Sequence, residues 1–381
     1  MTATLRARKL RSGVIAILIL LCLALALLIW RAPQIFVLAG EGFPGATWPA
    51  SGKFALVEGA AGATDPFPEA PPPPEPARKR FAASGGRALL VERSGILEAE
   101  LYREGSDRDT RLNSYSLVKS LVGALTLRGL ADGVFDSLDM PIQSLLGPDA
   151  PDVSLGEVLT MSSGLAMAEE PPKSGETATD DAGFSPFAPL ARIHAYGIEN
   201  TMADLRVDKS IEGTFHYQSA NTALLGLALE KAYGRPLADL LSEFIWKPAG
   251  AEDAYWRLYP AGEGVSAYCC LYARPLDWVL VGRYLMDNGT PSQPFLPEKL
   301  WQEYLLPELD ADVRRSGFYG DQVHHDVLDR EGEAANGSFA YFSGLSGQMV
   351  YLLPGLDAVV VRFGEKPQLL HSTLYELFPD G

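Results

Sequence analysis

Cysteine, histidine and basic residues are scarce in this chain of 381 residues. Its three cysteines are Cys22, Cys269 and Cys270. Cys22 sits in an apolar run, and adjacent cysteines are poorly placed to pair with each other. A disulfide scaffold is therefore excluded, and the expectation is that Cys269 and Cys270 stay unpaired. The five histidines form no HExxH, and no spaced Cys/His set has the ligand spacing of structural zinc. We therefore expect neither a metal nor a cofactor. Acidic residues outnumber basic ones 48 to 32, for a formal charge of −16. Four of the basic residues fall in the first eleven positions, so the remainder is still more acidic. Such a surface repels phosphate backbones and argues against nucleic-acid binding. A GxSxG elbow is absent as well, which excludes the common α/β-hydrolase nucleophile arrangement.

Apolar residues are abundant, at 47% of the chain, enough for a sizeable core. Ser12–Trp30 carries no charge over 19 residues, about the length that crosses a hydrocarbon core. Arg6, Arg8, Lys9 and Arg11 precede it in a basic tail, 1–11, which predicts a cytoplasmic N-terminus. The rest would then lie outside the inner membrane, periplasmic or extracellular. An uncleaved transmembrane signal anchor over 12–30 fits better than a cleaved signal peptide. The apolar run is long, and no small-x-small site follows it cleanly. Cys22 follows Leu21 rather than a small residue, so it does not read as a lipoprotein site. Seven prolines in 65–76 favour an extended spacer, so 31–86 is expected to be a linker. The folded domain is then 87–381, with a helical lobe at roughly 134–250.

Within that domain, 87–92 and 96–102 read as a hairpin. Tyr115–Gly133 has helical spacing of Leu117, Leu121 and Leu125, with Gly133 as its stop. Asn221–Tyr233 is a clear helix, and strands return at 348–353 and 358–363. Strands, then helices, then strands predict an α+β fold. An antiparallel sheet would draw its two ends from distant sequence, with helices covering it and a helical lobe inserted.

Three short motifs carry candidate chemistry. Ser116-Leu117-Val118-Lys119 is an SxxK, a pattern that arises by chance roughly once in a couple of hundred residues. Here it opens a helix, where free N–H groups favour negative charge. Lys119 lies one turn on, on the same face. A serine needs a base within reach, and a desolvated lysine can be one. The plainer reading is a helix-capping serine and a solvated lysine. Tyr217-Gln218-Ser219 precedes the second helix. A tyrosine near an ammonium can pass a proton to a leaving group; more plainly, Tyr217 is a core residue beside a cap at Ser219. Gly344-Leu345-Ser346-Gly347-Gln348 opens a strand, where glycine permits close substrate approach or marks a tight turn.

The order and spacing of the three motifs resemble the β-lactamase-related serine hydrolases. That group includes class C β-lactamases, D-alanyl-D-alanine carboxypeptidases, esterases and 6-aminohexanoate-dimer hydrolases. Leu155–Leu165, Gly213–Gly226, Cys269–Gly289 and Gln348–Gly364 resemble further segments of the family, so the similarity covers about residues 87–378. The resemblance implies a β-lactamase/transpeptidase-like fold, with Ser116 as the acylated nucleophile, Lys119 as its base and Tyr217 as the proton shuttle. It implies an oxyanion hole from the N–H groups of Ser116 and Gln348. It places substrate contacts at Ser219, Leu345, Ser346 and Gly347. Leu345 departs from the family, which has Lys or His there to hold a substrate carboxylate; Arg274 or Arg362 would be the replacement cations. The expected substrate is a small ester or amide. A penicillin-binding or sensor domain with weak turnover is the alternative. Two acidic stretches, Glu169–Asp181 and Asp310–Glu333, read as loops at the cleft mouth.

Overall fold

The computed structural model describes residues 2–42, 52–63, 65–166, 186–328, 337–368 and 371–378. The apolar run lies in helix α1 (Thr2–Arg31). Its 13–31 part is long and apolar enough to cross a membrane, and none of it is buried against the rest of the chain. Two residues later comes α2 (Gln34–Glu41), followed by strand β1 (Phe54–Val57) and helix α3 (Glu75–Ala83).

These three elements correct the expectation of a linker over 31–86. The α2 helix buries Gln34, Leu38 and Glu41, and Leu38 packs on Ala191 and Ala195. Even the proline-rich stretch is tied down. Its prolines have no N–H to donate, and other backbone groups of the stretch find partners in the domain. Arg108 donates to the carbonyls of Phe67 and Pro68 at 3.0 and 2.9 Å, and the Ala70 N–H donates to Glu100 at 3.0 Å.

The main sheet begins with β2 (Gly86–Arg93) and β3 (Ile96–Tyr102), the expected hairpin. The two-residue strand β4 (Leu112–Asn113) leads into helix α4 (Leu117–Ala131). The inserted lobe holds α5 (Gln143–Leu146), α6 (Leu155–Leu159), α7 (Pro189–Tyr196), α8 (Ser219–Tyr233) and α9 (Leu237–Leu241). The chain returns through β5 (Ala254–Arg257), β6 (Leu271–Ala273), helix α10 (Pro275–Met286) and a small hairpin, β7 (Gly289–Thr290) with β8 (Gln293–Pro294). It closes with β9 (Phe318–Gly320), β10 (Val323–Leu328), β11 (Gly337–Gly344), β12 (Gln348–Leu353) and β13 (Ala358–Gly364).

Seven strands form one antiparallel sheet in the order β3-β2-β13-β12-β11-β10-β9. Within it the sheet's first strand in sequence, β2, pairs with its last, β13, Val91 facing Val360. This is the pairing of distant ends that the strand–helix–strand layout predicted. One face packs on α4 and α10, and the other is covered by α3 and the C-terminal helix Ser372–Leu377. A second, four-stranded sheet, β1-β5-β6-β4, was not foreseen, because its strands are too short to show a period.

Two expectations about local structure change. Asp310–Leu328 is not a loop; it holds the short helix Ala311–Arg315, the edge strand β9 and its neighbour β10. Glu169–Asp181 and the end of the second acidic stretch lie outside the described residues. Helix α4 is buried beyond the one face that the spacing of Leu117, Leu121 and Leu125 marks. Residues 117–127 are buried on every side, so it is a central helix rather than a surface one. The reason is that it lies between the sheet and the lobe, with α8 against it.

The turn between β9 and β10 plugs into this helix. Asp321 and Gln322 both have positive φ, at 51° and 66°. The Ser120 hydroxyl donates to the Gln322 carbonyl at 2.7 Å, and the Thr222 hydroxyl donates to its side-chain oxygen at 2.6 Å. Gly123 lets the turn in: a Cβ there would run into the Asp321 carbonyl. Helix propensity alone says that Gly123→Ala stabilises by about 1 kcal/mol. The contact reverses the sign, and a net loss of about 1–3 kcal/mol is expected, the usual cost of overpacking. Thermal or denaturant unfolding measures it; a more stable variant would show that the turn does not seat on α4.

Candidate active site

Ser116 stands where β4 turns into α4, and the turn is held from several sides. Tyr115, just before it, has φ of 45°, a left-handed conformation that a bulky residue adopts only when its surroundings impose it. Its N–H donates to the Asn113 side chain at 2.9 Å, and its carbonyl accepts the N–H of Cys270 at 3.2 Å and the Ser114 hydroxyl at 3.0 Å. The Ser114 N–H reaches the Leu271 carbonyl at 2.9 Å, and its hydroxyl accepts from the Leu271 N–H at 3.0 Å. The start of β6 thus clamps the residues that aim Ser116.

That clamp contains the two adjacent cysteines. Contrary to expectation, Cys269 and Cys270 form a disulfide with each other. Cys270 has φ of 72°, a backbone turn that an ordinary extended pair of residues does not make. Both residues are buried.

Ser116 occupies the N-cap position of α4, but its φ and ψ are helical and its side chain caps nothing. Its hydroxyl instead accepts a 2.8 Å hydrogen bond from Lys119 Nζ. Lys119 is only 2% exposed, so it is not a solvated surface lysine. Its ammonium lies 4.7 Å from the ring centre of Tyr217 and 5.8 Å from that of Tyr268. The structure therefore brings Ser116, Lys119 and Tyr217 together, from two motifs about a hundred residues apart in sequence. Ser219 is the first residue of α8 and is buried, while Gln218 takes the cap position without a side-chain bond. Tyr319 of β9 extends the aromatic wall: it stands 6.0 Å from Tyr217 and 5.0 Å from the half-exposed Phe215, ring centre to ring centre.

The third motif lies against the first. A Cβ on Gly344 would stand 2.5 Å from the Ser114 carbonyl and 3.3 Å from the Ser116 nitrogen, so only glycine fits. Gly344 pairs with Gln348 at the turn end of the β11–β12 ladder. Leu345, Ser346 and Gly347 make the turn between them, closed by the Gly347 N–H to the Gly344 carbonyl at 3.2 Å. Ser346 and Gly347 both have positive φ, at 65° and 74°. The Gln348 side chain is spent on this turn, donating to the carbonyls of Leu345 at 2.7 Å and Gly364 at 2.9 Å and accepting from the Gly364 N–H at 2.8 Å. Only its backbone is left for an oxyanion role.

Neither arginine proposed as a replacement cation is available. Arg362 is buried and donates to the backbone carbonyls of Gly347, Ser84 and Lys366. Arg274 is buried in a cluster with Asp277, Asp65 and Glu252, at 2.9, 3.0 and 2.9 Å. The sequence did not point to Gly344, Tyr268 or Tyr319 individually. The glycine-rich strand start was the one signal, and it marked the segment rather than the residue.

Against known proteins, the Beta-lactamase family model matches residues 77–294. The chain is 26% identical over 291 residues to the 6-aminohexanoate-dimer hydrolase of Paenarthrobacter ureafaciens, covering 74% of this chain and 72% of that one. The solved structure named "Putative 6-aminohexanoate-dimer hydrolase from Bacillus anthracis" superposes with a TM-score of 0.70 at 17% identity, over 86% of this chain and 89% of that one. A class C beta lactamase from Rhodobacter sphaeroides gives 0.54 at 15%, over 80% and 99%. These likenesses bear out the expected β-lactamase/transpeptidase-like fold, and with the family model covering more than half of its length the chain belongs to the beta-lactamase family.

Proposed function

We propose that this protein is a membrane-anchored serine hydrolase that cleaves a small ester or amide through an acyl-enzyme on Ser116. The observation that carries the reading is the 2.8 Å hydrogen bond between Ser116 Oγ and the Nζ of the buried Lys119. In the first step Lys119 acts as the neutral amine: with the Ser116 hydroxyl donating to its lone pair, Ser116 Oγ attacks the substrate carbonyl carbon and the hydroxyl proton passes to Lys119 Nζ. The carbonyl oxygen becomes an oxyanion, held by the N–H groups of Ser116 and Gln348. Collapse of the tetrahedral intermediate breaks the bond to the alcohol or amine. That leaving group takes up a proton through Tyr217, whose ring lies against Lys119. Water then attacks the acyl-enzyme by the same route reversed and frees the acid and Ser116. Ser219, Leu345, Ser346 and Gly347 line the substrate side of the site in this reading. Its support is family membership and the likeness to a hydrolase of the 6-aminohexanoate dimer.

Anchoring by α1 is part of the same proposal. The basic residues before the apolar span support an orientation with the N-terminus in the cytoplasm and the catalytic domain beyond the inner membrane, periplasmic or extracellular. Protease added to spheroplasts is expected to digest the domain and spare only the span and the first residues. Full protection of the domain would reverse the orientation.

Ser116→Ala is expected to abolish covalent labelling by a fluorophosphonate and hydrolysis of p-nitrophenyl esters while leaving the fold intact. Lys119→Ala and Tyr217→Phe should each lower kcat by roughly 10²–10⁴-fold. Undiminished labelling of the Ser116→Ala protein would refute the mechanism, and a wild type that binds penicillin without turning over any ester or amide would favour the sensor reading.

Leu345 sets the expected preference. A charge-assisted contact to a substrate carboxylate is worth roughly 1.5–3 kcal/mol, about ten- to a hundredfold. Leu345 does not supply it, and Arg274 and Arg362 are held by other partners. Neutral esters and amides should therefore be processed better than nitrocefin, with kcat/KM as the measure. Leu345→Lys should gain selectively on nitrocefin; efficient nitrocefin hydrolysis by the wild type would overturn the preference.

A further inference from the structure

The helix that follows the apolar span reaches the floor of the site. Glu41, the last residue of α2, places both carboxylate oxygens on Arg257 of β5, at 2.8 Å to Nε and 2.6 Å to Nη2. Arg257 has no solvent exposure, and the Glu41 side chain is 3% exposed. The same Nη2 donates to the backbone carbonyl of His194 in α7 at 2.8 Å. The His194 ring, through Nδ1, meets the Tyr268 hydroxyl at 2.6 Å. Burial, with Arg257 and Lys119 nearby, holds the His194 pKa far below its ordinary value, so the ring is neutral and one of its nitrogens accepts. Tyr268 in turn presents its ring to the Lys119 ammonium, on which Tyr217 also packs.

We propose that Glu41 is a positioning residue for the catalytic lysine, acting through Arg257, His194 and Tyr268. The proposal rests on the reading of Lys119 as the base of Ser116. The argument is one of charge and connectivity. A guanidinium buried without its carboxylate is strongly unfavourable and moves until it finds an anion or water. Arg257 holds the His194 carbonyl and is itself held by the backbone of Cys270 and Ser266, at 3.1 and 2.8 Å. Cys270 also bonds to Tyr115, beside the nucleophile. Any shift of Arg257 is therefore passed to both sides of the Ser116–Lys119 pair. The Tyr268 ring is held by packing on Tyr259, 6.4 Å between ring centres, and its hydroxyl ties it to His194. In this arrangement α2 is part of the catalytic centre although it precedes the first strand of the main sheet.

The experiment uses the full-length protein in detergent and compares Glu41→Gln, Glu41→Asp, Tyr268→Phe and the double variant Glu41→Gln/Tyr268→Phe. Glu92→Gln is the control, because Glu92 is equally buried and pairs with Arg283 at 2.6 Å, away from this chain of contacts. The readouts are the rate of fluorophosphonate labelling per folded molecule, kcat and KM for a p-nitrophenyl ester, and thermal unfolding. Glu41→Gln is expected to lower the labelling rate and kcat by about ten- to a hundredfold, the scale for small displacements of catalytic groups, with KM changed less than twofold. Glu41→Asp should recover most of the loss. Tyr268→Phe should show a similar defect, and the double variant should be no worse than the poorer single one, as expected for residues acting in series. The control should lose thermal stability but keep its labelling rate. Wild-type labelling in folded Glu41→Gln, a loss equal to the control's, or defects that multiply in the double variant would each overturn the proposal. If Glu41→Gln does not fold, Glu41→Asp and Tyr268→Phe decide, and normal labelling in both overturns it. A wild-type protein that does not label refutes the reading of Ser116 itself, whereas a labelling wild type with an unaffected Glu41→Gln refutes only this inference.

Discussion

Placing a lysine inside a helix that has no solvent face is the constraint around which the structure is arranged. Lys119 enters the core with α4 between the main sheet and α8. A buried amine must be hydrogen-bonded or packed on polarisable groups. Ser116 supplies the hydrogen bond, and Tyr217 and Tyr268 supply ring faces. Each of these comes from a different part of the chain, so the lysine's needs and the assembly of the site are met by the same contacts.

Other buried ions serve as fasteners for backbone that chemistry requires in unusual shapes. The β11–β12 turn runs through two residues with positive φ, and both Arg362 and the Gln348 side chain are committed to its carbonyls. Tyr115, also at positive φ, is fixed by Asn113, Ser114 and the disulfide-linked Cys270. Backbone held out of its preferred regions persists only where the surroundings over-determine it. Here the over-determined turns are the two that meet at Ser116. The same accounting explains why neither Arg274 nor Arg362 replaces the cation missing at Leu345: each has been drawn into holding structure.

The region between the apolar span and the first strand of the main sheet has a similar character. Its prolines predicted a spacer, yet Arg108 collects the carbonyls of Phe67 and Pro68 and ties the stretch to the domain. The α2 helix is too short to be stable alone, and it persists because Leu38 and Glu41 are buried in the body of the domain. Under the proposed topology, the membrane segment and the catalytic base are joined by packed structure rather than by a tether.

Sequence alone was enough for the elements whose periodicity is long and whose ends are punctuated: the apolar helix over 12–30, the 96–102 hairpin partner, the helices of Ser116 and of Asn221, and the closing strands. It also determined which residue types were available, and the order of SxxK, Tyr217 and the glycine-rich strand start was enough to place the chain beside a family. Tertiary structure alone decided whether those residues meet. Burial of Lys119, the closeness of Gly344 to Ser116, the pairing of Cys269 with Cys270 and the reach of Glu41 to Arg257 are all contacts between segments far apart or backbones at positive φ. Hydrophobic period reports which face of a single element is buried; it carries no record of which other element will cover that face, and so no record of the site built between them.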